Sequence, residues 1–246
     1  FWDVDAPATL ERLQAIPDDP FADLVPRYDI ILTYGGGPRV ISGYRALGAR
    51  DCVPIYNALD PDTHHPVAPE QRYAADLSFL GNRLPDREAR VHHFFFGPAT
   101  RLPRHSFLLG GAGWDAAPSN VRLLGHVPTA EHNAFNCSAR LVLNINRDSM
   151  ARFGWSPPTR VFEAAGAGAC LVVDRWEGIE MFLEPGREVL VADDGDAVAE
   201  FVRSVGSSRA QEIGERARRR LLRQHTYSAR ATLIEAALQG QQLEVA

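Results

Sequence analysis

The 246-residue chain contains no lysine: all 26 of its basic residues are arginine, set against 31 acidic residues for a net charge of −5. That absence excludes a Walker-type phosphate loop, whose lysine reaches the terminal phosphates, a Schiff-base or pyridoxal enzyme, and any lysine general base. An anion held here must be held by arginine forks, backbone N–H groups or helix N-termini. Cysteine is scarce as well. Cys52, Cys137 and Cys170 are odd in number, widely spaced and set in apolar surroundings, which excludes a disulfide framework or a C-x-x-C site and fits a reducing, cytoplasmic setting. No run of about 18 apolar residues exists, and no basic segment precedes an apolar core at the start, so neither a membrane span nor a signal peptide is expected.

What is present reads as a globular α/β chain, with 45% apolar and 23% charged residues, 20 glycines and 17 prolines, enough for one large or two modest cores. The slightly acidic balance argues against nucleic acid or an anionic membrane as partner. Arg216, Arg218, Arg219 and Arg220 are a local exception, read as the solvated face of a helix because Ile213, Ala217 and Leu221 recur every four residues behind them.

Short apolar runs alternate with helical patterns, the signature of parallel sheets built from βα units. Strands are expected at Asp29–Tyr34, Cys52–Tyr56, Asp76–Leu80, Ser106–Gly110, Val121–Leu124, Arg140–Ile145, Ala169–Val173 and Glu188–Ala192. Helices are expected near 7–16, 38–47, 85–96, 129–136, 158–167, 177–184, 194–205, 208–224 and 228–238. The segment Asn57–Gln71, with three prolines and no periodicity, suits a linker. Six strands follow it, enough for a doubly wound domain; the two before it are too few, so the first unit is either a small cap or an incomplete domain.

The chemistry concentrates in Ser156–Asp174, which reads SPPTRVFEAAGAGACLVVD. Ser156 can cap a helix whose first turn is pre-set by Pro157 and Pro158, and the helix then turns directly into a buried strand. In an open α/β sheet a ligand sits outside the carboxyl ends of the strands, where helix N-termini point their amides. Glu163 lies roughly 9 Å along the axis from those amides, at 1.5 Å per residue. That spacing matches the reach from a ribose to the second phosphate of a nucleoside diphosphate. One carboxylate can accept from both ribose hydroxyls while the amides and Arg160 take the phosphates, and Gly166 and Gly168 permit close backbone approach. The same residues also read as a surface Arg–Glu pair and a tightly packed helix.

The pattern R-x-F-E-A-x-x-x-G-x-x-x-V-x-D, followed by Glu177–Phe182 and Glu184–Leu190, resembles the C-terminal half of GT-B glycosyltransferases, nearest to the CgeB-like (spore maturation protein) branch of the group 1 glycosyl transferases. Leu77–Arg83 resembles the first strand and donor loop of that half, Leu123–Val127 its middle strand, and Leu143–Arg147 the strand before the motif. Upstream, Phe1–Asp5, Tyr28–Thr33 and Gly43–Gly48 resemble the end of the family's N-terminal domain.

The resemblance implies a GT-B-like α/β fold of two Rossmann-like parallel-sheet domains, the N-terminal one incomplete. Residues 1–68 would be the remainder of the acceptor-side unit with the linker, 69–225 the donor-binding unit, and 226–246 a helix packing back toward the first. It implies a metal-independent glycosyltransferase, with no cofactor beyond a nucleotide-diphosphate sugar as donor and with an unidentified acceptor. Donor binding falls to Glu163, matching the donor-ribose carboxylate, with Arg160, Gly168, Gly166, Thr159, Arg83, Asn82, Gly81, His126, Asn146 and Arg147. No catalytic base is assigned. Related retaining enzymes place a second acid eight positions before the Glu163 equivalent; here that position is Trp155, so the acidic pair is incomplete. A nucleotide-sugar epimerase of the same fold and a non-catalytic nucleotide-binding or interaction protein remain alternatives.

Other features have weaker readings. Gly35-Gly36-Gly37 is either a flexible turn or an acceptor-side contact, and Gly110–Trp114 either lines the donor site or is a plain βα turn. Asp3-Val4-Asp5 and Asp60-Pro61-Asp62 spell D-x-D without the context of a metal–diphosphate site. His64-His65 and His92-His93 are adjacent and diverge on regular elements, so they do not converge on one ion. His126 is a loop residue near the base or merely exposed, and Asp174 either faces the cleft or caps a helix.

Overall fold

The structure, a computed structural model, describes residues 1–241. Residues 242–246, the end of the segment expected to return toward the first unit, lie outside the described residues. Its elements run β1 (Trp2–Asp3), α1 (Ala6–Ala15), β2 (Ile31–Thr33), α2 (Gly37–Ala46) and β3 (Cys52–Pro54), which form the first unit. The second unit follows with β4 (Ala75–Leu80), α3 (Pro85–Val91), α4 (Gly97–Arg101), β5 (Phe107–Gly110), β6 (Val121–Gly125), α5 (His132–Ser138), β7 (Ala139–Asn144) and α6 (Asp148–Phe153). It is completed by α7 (Thr159–Gly166), β8 (Leu171–Asp174), α8 (Ile179–Phe182), β9 (Leu190–Ala192), α9 (Gly195–Ser204) and α10 (Ser207–Gln224), after which α11 (Tyr227–Leu238) closes the chain.

Every strand pairing is parallel. The first sheet has the order β1-β2-β3 and the second β6-β5-β4-β7-β8-β9. The second order is that of a doubly wound sheet, whose strand sequence reverses direction between β4 and β7. Its central strands are apolar on both pleats because both faces are covered. Leu77, Phe79, Leu109, Leu143 and Val172 face one core with Phe95 and Val198, while Val142, Leu171 and Val173 face the other with Phe162, Phe182 and Leu221. Each such large side chain contributes about 1.5–3 kcal/mol by leaving water.

Strand β1 is two residues long and carries no readable alternation, which is why only its two partners stand out in the sequence. The helix expected over 85–96 is α3 followed by a π-helical turn at His92–Phe96, whose His92 and His93 are exposed while Phe94, Phe95 and Phe96 are buried. Ser156 caps nothing: its hydroxyl is buried and donates to the Gly154 carbonyl at 2.9 Å. Pro157 and Pro158 precede the first turn of α7, and Pro158 occupies the cap position.

The expected linker is irregular but packed. Leu59 is fully buried, and the Leu59 amide donates to the His225 carbonyl at 2.8 Å while the Tyr227 amide donates to the Leu59 carbonyl at 3.1 Å. The two segments that cross between units therefore lie side by side. Arg230, on α11, adds bonds to the Tyr56 and Asn57 carbonyls. Beyond this crossing α11 lies on the first sheet, where Leu233, Ile234 and Ala237 pack with Leu32, Val53 and Ile55.

Further contacts span the gap between units. Trp155 is the sole non-glycine among the described residues with a left-handed backbone (φ +48°). Its indole fills the space in front of Gly37 and Gly178, where a Cβ would come within 2.6 Å of the ring. Its carbonyl accepts from the Gly36 amide at 2.8 Å, so the triple-glycine turn is a seat for Trp155 and Ser156. Arg152 pairs with Glu11 at 2.8 Å and Arg147 with Asp5 at 3.1 Å. Among the described residues no helix is long and apolar enough to cross a membrane.

Candidate functional site

Where the strand order reverses, the chain ends of β4 and β7 diverge and leave a cleft of about 350 Å³. Its floor is Leu80–Asn82 after β4 and Asn144–Arg147 after β7; its walls are Gly111, His126–Val127, Thr129 and His132 on one side and Arg87, Met150 and Pro158–Arg160 on the other. The N-terminus of α7 opens into it. The helix has no side-chain cap; the Val161 amide donates to the Pro158 carbonyl at 3.0 Å, which leaves the Thr159 and Arg160 amides without an intrahelical acceptor.

Arginines dominate the charge of this cleft. Arg160 sets Nη1 2.7 Å from Glu163 Oε2, but the angle makes no hydrogen bond and that oxygen is buried without a partner. Burial depresses the Arg160 guanidinium below its ordinary value, with Glu163 pulling the other way. Arg87 is depressed by burial first, and Arg147 and Arg160 lower it further against the support of Asp86. Its Nη2 donates to the Asn82 carbonyl at 2.7 Å and its Nε is buried without a partner. Arg147 donates from Nε to Asp86 at 2.6 Å and from Nη1 to Asp5 across the interunit gap. Arg147 and Arg160 thus raise the electrostatic cost of the Arg87 guanidinium, and Arg147 is itself held above its ordinary value by Asp86 first and then Asp5.

Behind these lies a polar support. The Asn146 amide donates to Asp174 Oδ1 at 3.0 Å, Asn144 Nδ2 donates to Asn146 Oδ1 at 3.2 Å, and Arg90 pairs closely with the other Asp174 oxygen. Asp174 is fully buried; burial raises its carboxyl, with Arg90 opposing. It therefore anchors the loop after β7 and caps no helix.

The sequence-derived donor residues divide. Gly81, Asn82, His126, Asn146, Arg147, Thr159 and Arg160 line the cleft together. Glu163 stands one turn behind Arg160, outside the lining. Asn82 turns its side chain away, accepting from the Ala112 amide at 2.9 Å. Arg83 points outward to Glu88 and Asp115 and is 45% exposed, so it does not reach the cleft. Gly166 and Gly168 are displaced as well, because they lie at the opposite end of α7. A Cβ on Gly166 would come within 2.3 Å of Leu59, and Gly168 (φ +79°) ends the helix under α10. Close approach does occur there, but to the protein itself. Of the Gly110–Trp114 stretch, Gly111 lines the cleft and Trp114 Nε1 braces the Gly81 carbonyl at 2.8 Å.

Sequence reasoning missed Arg87, His132 and Asn144. Arg87 carried one usable signal: Pro85 begins a helix directly after the strand-end loop, which places the third helical residue beside the cleft. His132 is half-buried, and its imidazole is depressed by burial and then by Arg160. Neither D-x-D holds an ion-like arrangement: Asp3 accepts from Tyr44 and Thr9, Asp5 from Arg147, and Asp60 from Thr63. Among the described residues no group of three or more His, Cys, Asp or Glu side chains is placed to hold a metal ion.

A family model described as "Glycosyl transferase-like" matches residues 87–236. No curated protein matches the chain. Among solved structures, the fold is similar to that of sucrose-phosphate synthase from Thermosynechococcus elongatus (TM-score 0.68, 12% identity, covering 89% of this chain and 60% of the synthase). It is similar too to Anabaena HepE in complex with UDP and glucose (TM-score 0.70, 13% identity, 94% of this chain and 67% of HepE). A third similarity is to T4 phage BGT in complex with its UDP-glucose substrate (TM-score 0.59, 13% identity, 92% and 70%). The chain thus spans about 60% of the length of the synthase and about two thirds of HepE.

Proposed function

The chain belongs to the glycosyl transferase-like family, and on that premise we propose that it transfers a glycosyl group from a nucleoside-diphosphate sugar to an acceptor hydroxyl, seating the donor in the cleft between β4 and β7. The observation that carries this reading is the convergence of Arg87, Arg147 and Arg160 on the uncapped N-terminus of α7 at the strand-order reversal. A diphosphate placed there receives amides from one side and guanidinium forks from the other. As the glycosidic bond breaks, the leaving oxygen gains charge, and preorganised donors aimed at it supply the stabilisation without a metal. Glu163, whose Oε2 lies against Arg160 without a hydrogen bond, is the group for the ribose hydroxyls, and His126 with Val127 borders the space left for the base. The UDP and UDP-glucose in HepE and BGT make uridine nucleotides the first donors to try. The three free cysteines suit a reducing compartment such as the cytoplasm, and Trp155 in place of a second acid suits the CgeB-like branch.

A thermal-shift panel of UDP, GDP, ADP and dTDP, run on this chain and on Glu163→Ala, tests the reading. At 100 times its dissociation constant a ligand stabilises by about 2.7 kcal/mol, about 5–10 °C for a chain of this size. No shift with any nucleotide overturns the donor site; an equal shift in the variant overturns the ribose role of Glu163. Trp155 also supports a second reading, a nucleotide-binding protein without transferase activity, because its indole occupies the interunit gap at the position of the missing acid. Binding of UDP with no turnover of UDP-sugars would favour that reading.

A further inference from the structure

Among the donors that line the cleft is one that is buried and without a partner. Asn146 is 1% exposed, lines the cleft, and has an Nδ2 with no partner. Its Oδ1 is already engaged by Asn144 Nδ2 and its backbone amide by Asp174. With the oxygen committed, the amide must present its two N–H groups elsewhere, and a buried donor without a partner is costly. Its neighbours in the cleft, Arg87, Arg147 and Arg160, are themselves donors only. Such a donor among cations is satisfied by an acceptor-rich anion.

The support is expensive in its own right. Asp174 is a fully buried carboxylate whose second oxygen is tied to Arg90 on α3. A buried ion pair of this kind is a poor source of stability compared with apolar packing. What it yields here is geometric: it fixes the loop after β7, and Asn144 then fixes which way the Asn146 amide faces.

We propose that Asn144 and Asp174 are positioning residues that hold the Asn146 NH₂ toward the phosphate oxygens of the leaving diphosphate, as the neutral member of a four-donor cradle. This rests on the donor-site reading above. Asn144 acts by occupying the amide oxygen, and Asp174 acts by pinning the backbone that carries it.

The test titrates the full chain and its variants with UDP, inorganic pyrophosphate and uridine by calorimetry, and follows the Asn146 side-chain amide by ¹⁵N–¹H spectroscopy. Asn144→Ala, Asp174→Asn and Asn146→Ala are each expected to weaken pyrophosphate and UDP about 5- to 20-fold and leave uridine unchanged. Combined with Asn146→Ala, neither of the other two should weaken binding further. In the native chain the Asn146 amide signal should shift on adding pyrophosphate, and Asn144→Ala should abolish that shift. Asn144→Ser repeats the measurement if the alanine variant does not fold. Losses that multiply in the double variants, or fall equally on UDP and uridine, overturn the positioning role alone. If the native chain binds UDP no more tightly than uridine and does not bind pyrophosphate, the donor-site reading falls and this proposal falls with it.

Discussion

Replacing Arg87 with methionine should weaken nucleotide binding and leave stability nearly unchanged, if the proposed donor site is correct, because burial and the neighbouring guanidinium groups disfavour its charge within the protein. The substitution keeps an unbranched stem of similar length over the Phe79 ring, above which the guanidinium sits at 5.6 Å. It removes one hydrogen bond, from the charged guanidinium to the Asn82 carbonyl, worth about 1.5–3 kcal/mol. It also removes a cation that burial, Arg147 and Arg160 all disfavour, so the two effects offset and stability should stay within about 1 kcal/mol of the native value. Charge-assisted bonds to phosphate contribute about 1.5–3 kcal/mol, so UDP affinity should fall about 10- to 150-fold, and pyrophosphate affinity with it. Urea unfolding gives the first quantity and calorimetry the second. A stability loss of several kcal/mol with unchanged UDP affinity would refute the assignment and make Arg87 a structural residue. An equal loss of uridine and UDP affinity would also refute it, since uridine carries no phosphate.

Three further outcomes follow from other parts of the molecule. Burial lowers the His225 imidazole to about 4 from 6.5. The unfolded chain therefore takes up a proton first, and about 3 kcal/mol of stability present above pH 6.5 is lost as pH falls toward 4; His225→Gln, which keeps an acceptor for Arg230, should flatten that part of a Tm-against-pH profile. Gly214→Ala would bring a Cβ within 2.0 Å of the Gly168 carbonyl oxygen, so it should destabilise by about 1–3 kcal/mol through forced separation of α10 from the α7–β8 turn, as read by urea unfolding; an unchanged midpoint would disprove that packing. Gly111→Ala, at φ +132° and with its Cβ 2.2 Å from the Gly81 carbonyl oxygen, should weaken UDP by displacing the cleft floor and lower Tm as well.

The second sheet was largely legible because its strands are buried on both faces: Arg140–Ile145 and Ala169–Val173 read as strands from their apolar runs, and β7 and β8 lie within a residue or two of them. That Thr159 and Arg160 border the cleft was legible for a related reason, since a helix that starts after a proline pair and ends in a buried strand leaves little freedom about which end faces the strand termini. Gly166 and Gly168 misled because small residues report that something approaches closely and not what; here it is Leu59 and α10. Arg83 stands on the strand-end loop and Arg87 on the first turn of the helix that follows, and the path of that loop, which turns one outward and the other inward, follows from no local pattern. Asn144, Asn146 and Asp174 form a group through side chains 28 residues apart, a pairing that no local pattern encodes.

The paired crossing at Leu59 and Thr226 bears on how the gap between the units can widen. Two separate tethers would permit twisting, sliding and tilting. Two tethers bonded edge to edge behave as the spine of a book and leave mainly one angle free. The ion pairs from Arg147 to Asp5 and from Arg152 to Glu11, and the indole of Trp155 against Gly37, all lie off that spine. They set how far the pages stand apart, while the spine sets the line about which they turn. Arg147 touches both the cleft and the facing page, so on the proposed reading a bound diphosphate and Asp5 would draw on the same guanidinium, and occupancy of the cleft and the opening angle would become one linked variable.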